Sequence, residues 1–140
     1  MREILFRGKR KDNGEWICGD LLQDVESGIC AIVSYVNLGG NIHDLSESCI
    51  FAVIPETVGQ YTGLTDKNGT KIFEGDIVRA ITRLTDIYVE AVTFKNGAFW
   101  YKNWSWVKFG FKFEKTEVIG NIHDNPELLN AAANGRRQER

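Results

Sequence analysis

Two histidine–aspartate pairs are the residues of this sequence whose types and spacing best suit metal chemistry. The segment Gly40-Asn41-Ile42-His43-Asp44 recurs as Gly120-Asn121-Ile122-His123-Asp124, and the two copies hold both histidines of the chain. Imidazole and carboxylate groups are a suitable ligand set for a first-row metal ion. Adjacent residues of a strand point to opposite faces, however, and Asn and Asp are common in surface turns. We therefore expect two polar turns here, and neither a bound metal nor another cofactor.

Sequence motifs that carry catalysis are missing. Residues 63–71 contain glycines and lysines but do not follow the order G-x-x-x-x-G-K-[ST] of a phosphate loop. No G-x-S-x-G, H-E-x-x-H or C-x-x-C motif occurs. The three cysteines, Cys18, Cys30 and Cys49, would leave one thiol unpaired in any disulfide scheme, which favours buried thiols in a reducing cytosol. The sequence predicts a protein that is not an enzyme.

The segment from Lys95 to Lys115 combines cationic and aromatic side chains. It holds five lysines, one acid and eight aromatic residues. Small β-barrels hold single-stranded nucleic acid on such aromatic platforms, but alternate aromatic residues also fill a barrel interior. Eight aromatic residues exceed the inward half of one strand, so some should lie at a subunit contact or a ligand. The candidate binding residues are Trp100, Tyr101, Trp104, Trp106, Lys95, Lys102 and Lys108.

Self-association is the use that we expect for this segment, with the region from Trp100 to Phe113 buried in part in a homo-oligomer. Single-stranded nucleic acid is the alternative ligand, and another protein is a further one. The net charge of −2 gives no overall field that would attract nucleic acid, so such binding would depend on the local lysines.

The chain length suits one domain or two small lobes, since it holds 140 residues. No apolar run approaches the roughly 20 residues of a membrane-spanning helix. The first ten residues lack the apolar core of a signal peptide. We expect no membrane contact and a cytoplasmic location.

Most of the sequence consists of short runs of residues that favour β-strands, separated by turn residues. We expect these strands to position the candidate residues named above. Asn96-Gly97, between two apolar runs, is the strongest hairpin signal of the chain. Residues 29–35 form a nearly continuous apolar run, which is typical of a strand covered on both faces. Residues 37–47 are polar and predict a loop. Asn125 and Pro126 mark the start of a short helix.

A glycine-spaced stretch in the middle of the chain resembles the YopX family of phage and prophage proteins. The segments that carry the resemblance are Pro55–Leu64, Asp66–Gly69, Ile72–Val78, Phe6–Lys9, Asn13–Trp16, Val118–Ile122 and Asn125–Leu129. They span residues 2–129 of the chain. The resemblance implies an SH3-type β-barrel. The molecular activity of the family is unassigned, so the resemblance assigns no catalytic residue.

Together these patterns predict a mainly β fold with three parts. Residues 1–57 form an N-terminal β lobe, residues 58–124 form an SH3-type barrel packed on it, and residues 125–140 form a short helix with a basic tail. The expected function is that of an accessory protein of a phage or prophage in the host cytoplasm. We expect it to act by binding through the small barrel, with itself or with a host or phage protein as partner.

Overall fold

The computed structural model describes residues 1–35, 49–82, 84–102, 104–105 and 113–130. Within these ranges the chain forms eleven strands in two antiparallel sheets, so the mainly β fold predicted from the sequence is confirmed. The chain divides into two compact units, Met1–Tyr61 and Thr62–Arg140. The boundary lies four residues beyond the one suggested by the sequence pattern.

The first sheet contains six strands. They are β1 (Phe6–Lys9), β2 (Trp16–Asp24), β3 (Ile29–Val33), β4 (Ile50–Ala52), β5 (Gly59–Thr65) and β6 (Lys71–Phe73). Their order is β4-β3-β2-β1-β5-β6, and a 3-10 turn at Pro55–Thr57 connects β4 to β5. The unit boundary falls within β5, whose first half pairs with β1.

Strand β3 lies in the core of the first unit, and its successive residues Ala31, Ile32 and Val33 are all buried, so it is covered on both faces there, as predicted. Ile32 and Val53 are fully buried there. A Cβ atom on Gly19 would lie 1.9 Å from the Val33 carbonyl oxygen, so only glycine fits where β2 approaches β3 at this position. The end of β4 also lies next to the end of β1, since the Lys11 amide donates to the Ala52 carbonyl at 2.9 Å. The Ile54 amide likewise donates to the Lys9 carbonyl at 2.8 Å.

The second sheet belongs to the second unit. Its strands are β7 (Asp76–Thr82), β8 (Ile87–Lys95), β9 (Ala98–Tyr101), β10 (Trp104–Ser105) and β11 (Phe113–Asn121), in the order β10-β9-β8-β7-β11. Alternate residues of β7 face a buried apolar cluster, as expected for a strand with one face on the core. The cluster contains Ile72, Val78, Ala80, Val92 and Tyr101.

The local features predicted for the second unit are confirmed. Asn96 and Gly97 both have positive φ angles, 51° and 76°, as a two-residue hairpin turn between β8 and β9 requires. Residues 127–130 are helical, after Asn125 and Pro126. In the described ranges no helix has the length and apolar character to cross a membrane.

The SH3-type barrel expected for residues 58–124 is not confirmed. Where those residues are described, β7–β11 form an open sheet whose outermost strands are β10 and β11. Strand β5 instead pairs with β1 of the first unit, more than fifty residues earlier in the chain. The sequence pattern therefore predicted the β8–β9 hairpin but not the pairing of β5 with β1.

Candidate binding site on the β8–β9 hairpin

The register of the β8–β9 hairpin divides the aromatic residues between its two faces. Phe94 pairs with Phe99, and Thr93 pairs with Trp100. Cross-strand partners share a face, and successive residues alternate. The hairpin therefore presents Phe94 and Phe99 on the core-facing side, and Trp100 on the other side.

Tyr101 is a core residue. It is fully buried, and its hydroxyl donates to the Val78 carbonyl at 2.7 Å, with the Tyr88 carbonyl 3.1 Å away. Burial raises the pKa of the Tyr101 phenol far above its ordinary value, so the group remains a neutral hydrogen-bond donor. The prediction that Tyr101 binds a partner is wrong on this evidence, because the side chain cannot reach one in the folded protein.

Phe94 lies near the tip of the hairpin, on the face that covers the core, and its side chain is exposed to solvent. Its ring packs edge-to-face on Phe99, with centroids 5.1 Å apart. Phe99 is itself half-buried against the core cluster, whereas 50% of Phe94 is exposed. Such an edge-to-face pair fixes the orientation of the exposed ring. The hairpin thus offers a rigid aromatic side chain to a partner.

Trp100 and Lys95 form a cation–aromatic pair on the opposite face. The indole Nε1 donates to the Lys95 carbonyl at 3.0 Å, and the Lys95 ammonium lies 5.1 Å from the ring centroid. The Lys102 ammonium lies 4.1 Å from the ring centroid of a different residue, Tyr88. The structure therefore brings Lys95 to Trp100 but places Lys102 on another ring.

The remaining candidates of this segment are described only in part. Trp104 lies on β10 and its backbone pairs with Tyr101. The side chain of Trp104, together with Trp106 and Lys108, lies outside the described residues. Sequence reasoning missed Phe94, although its position just before the turn Lys95-Asn96-Gly97 is the signal that places it opposite Phe99.

The second histidine–aspartate segment forms a polar turn after β11, as predicted. The Asn121 side-chain oxygen accepts the backbone N–H groups of His123 and Asp124 at 3.0 and 2.9 Å. His43 and Asp44 of the first copy lie outside the described residues.

Comparison with known proteins identifies the family of the chain. A family model described as YopX protein matches residues 5–130. The chain belongs to the YopX family. Among solved structures, it is similar to the crystal structure of protein EF1440 from Enterococcus faecalis, with a TM-score of 0.57 and 24% sequence identity. That match covers 92% of this chain and 99% of the other, and at this identity it shows the fold alone. None of the curated proteins matches.

Asp66 lies in the central segment that resembles the YopX family, and its side chain joins a turn to a strand of the second sheet. Its carboxylate accepts the backbone N–H groups of Asn68 at 2.8 Å, Thr70 at 2.9 Å and Val118 at 2.9 Å. Burial alone would raise the pKa of Asp66, but these three donors outweigh it and hold the pKa below its usual value. The carboxylate therefore stays charged and joins the 66–70 turn to β11.

The same turn covers the outer edge of β11. The Lys67 amide donates to the Thr116 carbonyl at 3.0 Å, and the Lys67 ammonium lies 3.0 Å from a carboxylate oxygen of Glu117. An uncovered edge strand can pair with another chain. The Asp66–Gly69 segment of this YopX-family chain therefore covers an edge of β11 that could otherwise pair with another chain.

Proposed function

We propose that this YopX-family protein acts by binding and not by catalysis, and that it associates with further copies of itself through the β8–β9 hairpin. The exposed ring of Phe94 is the observation that carries the proposal. Exposed aromatic residues that are held rigidly are typical anchors of protein interfaces. Phe99, which pairs with Phe94 across the hairpin, holds the ring in this position.

The contacts of the buried ionisable groups support a binding role. Asp66 and Tyr101 are hydrogen-bonded to backbone groups, as described above. The Asp76 carboxylate, which is buried, accepts the Phe73 amide at 2.7 Å. These groups hold turns and strands in place, which agrees with a protein that acts through its surface side chains.

The small barrel through which we expected the protein to act is better supported in the first unit than in residues 58–124. There β1 pairs with both β2 and β5, and a 3-10 turn precedes β5, as in barrels of the SH3 type. The amides of Lys11 and Ile54 join the end of β4 to the end of β1. Both amide protons should therefore exchange slowly with solvent when measured by NMR; fast exchange of both would refute a barrel here.

Two single substitutions test the self-association. We expect Phe94→Ser to lower the average mass of the protein in sedimentation experiments, because it removes the exposed apolar anchor. Leu84→Ser is the matched control, since Leu84 is 79% exposed in the same unit but lies away from the hairpin tip, in the β7–β8 turn. Equal effects of the two substitutions, or none, would contradict the assignment of the hairpin as the contact.

Single-stranded nucleic acid is the second candidate ligand, and the Lys95–Trp100 pair favours it. A cation beside an indole provides both a phosphate contact and a stacking surface. Titration with an oligonucleotide at low salt should then change the tryptophan emission. Raising the salt concentration should reverse the change, because the release of counterions from the nucleic acid becomes less favourable. Emission that stays constant at low salt rules out this candidate.

The proposed setting is the cytoplasm of a host cell, with the protein as an accessory product of a phage or prophage. The resemblance of the chain to phage and prophage proteins supports this setting. Detection of the protein in the soluble fraction of lysed host cells, by an antibody against the purified chain, tests it; recovery only with membranes or outside the cell would contradict it.

A further inference from the structure

Asn-Gly pairs are sites at which a protein can modify itself without an enzyme. The glycine nitrogen can attack the side-chain carbonyl carbon of the asparagine, because glycine has no side chain that would shield this nitrogen. The chain holds four such pairs. Three of them, Asn13-Gly14, Asn68-Gly69 and Asn96-Gly97, lie in exposed turns, and Asn134-Gly135 lies outside the described residues. The contacts of the three turns differ, and these contacts decide which pair reacts first.

In two of these turns a hydrogen bond holds the glycine nitrogen. The Gly14 amide donates to the Arg10 carbonyl at 2.9 Å, and the Gly69 amide donates to the Asp66 carbonyl at 3.0 Å. An amide that donates to a carbonyl is harder to deprotonate, and deprotonation must precede its attack on a carbonyl carbon. Both nitrogens are therefore poor nucleophiles while their turns stay closed.

The same two turns also resist opening. Ring closure requires the asparagine side chain to rotate over the following nitrogen, and thus a local opening of the turn. Opening at Asn68-Gly69 separates the Asp66 carboxylate from the amides of Asn68 and Thr70, which it accepts at 2.8 and 2.9 Å. Opening at Asn13-Gly14 breaks the bond from the Glu15 amide to the Asn13 side-chain oxygen, at 2.9 Å. Each of these contacts lowers the population of the open turn.

The turn at Asn96-Gly97 lacks these restraints. Within the described part of the chain, the Gly97 amide donates to no acceptor. The positive φ angles of both residues belong to a two-residue turn whose strand pairing is made by the flanking residues, Lys95 and Ala98. The turn is exposed, and an exposed hairpin tip opens at little cost in free energy. Its glycine nitrogen is therefore available for attack.

We propose that Asn96 is a self-modification site, at which the Gly97 nitrogen closes a succinimide ring and asparagine becomes aspartate or isoaspartate. In the first step the Gly97 nitrogen bonds to Asn96 Cγ, and the side-chain nitrogen leaves as ammonia, having taken up the proton of the Gly97 amide. Water then opens the ring. Cleavage between Cγ and the Gly97 nitrogen gives aspartate, whereas cleavage between the Asn96 carbonyl carbon and the same nitrogen gives isoaspartate.

Both products change the tip of the β8–β9 hairpin. Aspartate adds a negative charge close to the exposed ring of Phe94. Isoaspartate also lengthens the main chain by one carbon atom, so the loop no longer fits the pairing of Lys95 with Ala98. The modification therefore alters the surface that the hairpin offers to a partner. This inference goes beyond the proposed function, because it holds whatever the hairpin binds.

Ageing of the folded full chain, followed by mass spectrometry of its peptides, tests the proposal. The protein is kept at mildly alkaline pH and then digested at acidic pH, where the reaction is slow. We expect Asn96 to lose its amide about tenfold faster than Asn13 or Asn68, because their turns must break at least one further hydrogen bond. The chain unfolded in urea is the control, and in it the three pairs should react at similar rates.

Two results would overturn the proposal. Equal rates at the three pairs in the folded chain would show that the contacts of the turns do not select the site. Protection of Asn96 in the folded chain, with rapid reaction after unfolding, would show that the hairpin shields it. A mass of one chain in solution would contradict the self-association but leaves these rates unaffected, so the two proposals fail separately.

Discussion

Replacing Asp66 with alanine removes the acceptor of three part-buried backbone N–H groups at once. Asp66 as a whole residue is 7% exposed, and the three hydrogen bonds of its carboxylate measure 2.8–2.9 Å. A fully buried donor left without an acceptor costs about 1–3 kcal/mol, and these part-buried donors lie at the lower end because water can reach them. We expect Asp66→Ala to lower the free energy of unfolding by about 3 kcal/mol, which corresponds to a fall in Tm of about 10 °C.

The dependence of stability on pH tests the same contact independently. The folded pKa of Asp66 lies below the unfolded value of about 4, so its contribution is complete above that value and is lost as the pH falls through the folded pKa. Urea unfolding between neutral pH and pH 3 should show a steeper loss of stability for the wild type than for Asp66→Asn. The asparagine variant keeps one acceptor oxygen and should lose about half as much stability at neutral pH as the alanine variant.

Asp24→Ala provides the control for Asp66→Ala. Asp24 also accepts a turn amide, that of Glu26 at 3.2 Å, and the hydroxyl of Ser27 at 2.6 Å, but it is exposed. Water can replace these contacts, so the loss of stability should be a small fraction of that in Asp66→Ala. If the two variants lose the same stability, or if Asp66→Asn follows the wild-type pH dependence, the Asp66 contacts do not stabilise the fold as described.

Two further substitutions test the packing of each unit. Gly19→Ala should lower the free energy of unfolding by about 3 kcal/mol or more, since the new Cβ would overlap the Val33 carbonyl; a urea midpoint equal to that of the wild type would contradict the close approach. Tyr101→Phe should cost about 1–2 kcal/mol in the same assay, because the Val78 carbonyl loses its hydroxyl donor, and an unchanged midpoint would show that this contact is dispensable.

Local chemistry explains which parts of the fold could be predicted from the sequence. The Asn96-Gly97 turn and the helix after Asn125 depend on backbone angles and caps set by a few adjacent residues. The pairing of β1 with β5 depends on residues more than fifty positions apart, and no local pattern encodes it. For that reason the hairpin pairings within residues 58–124 were predicted, but the placement of β5 beside β1 was not.

The sequence shows which residue types the candidate site contains, but it does not show which face of the hairpin each side chain lies on. Counting aromatic residues directed the prediction to the hairpin. Only the register shows that Tyr101 turns into the core while Phe94 remains exposed. The apolar run at residues 29–35 was easier to interpret, because a strand covered on both faces needs apolar residues in succession, and Ala31, Ile32 and Val33 are buried as predicted.

The average mass of the full chain in solution tests the central claim most directly. Static light scattering across the micromolar range should give a mass that rises with concentration toward a multiple of the 15.9 kDa chain. The same series with Phe94→Ser should remain near 15.9 kDa. A wild-type mass of one chain at every concentration would contradict self-association through the hairpin.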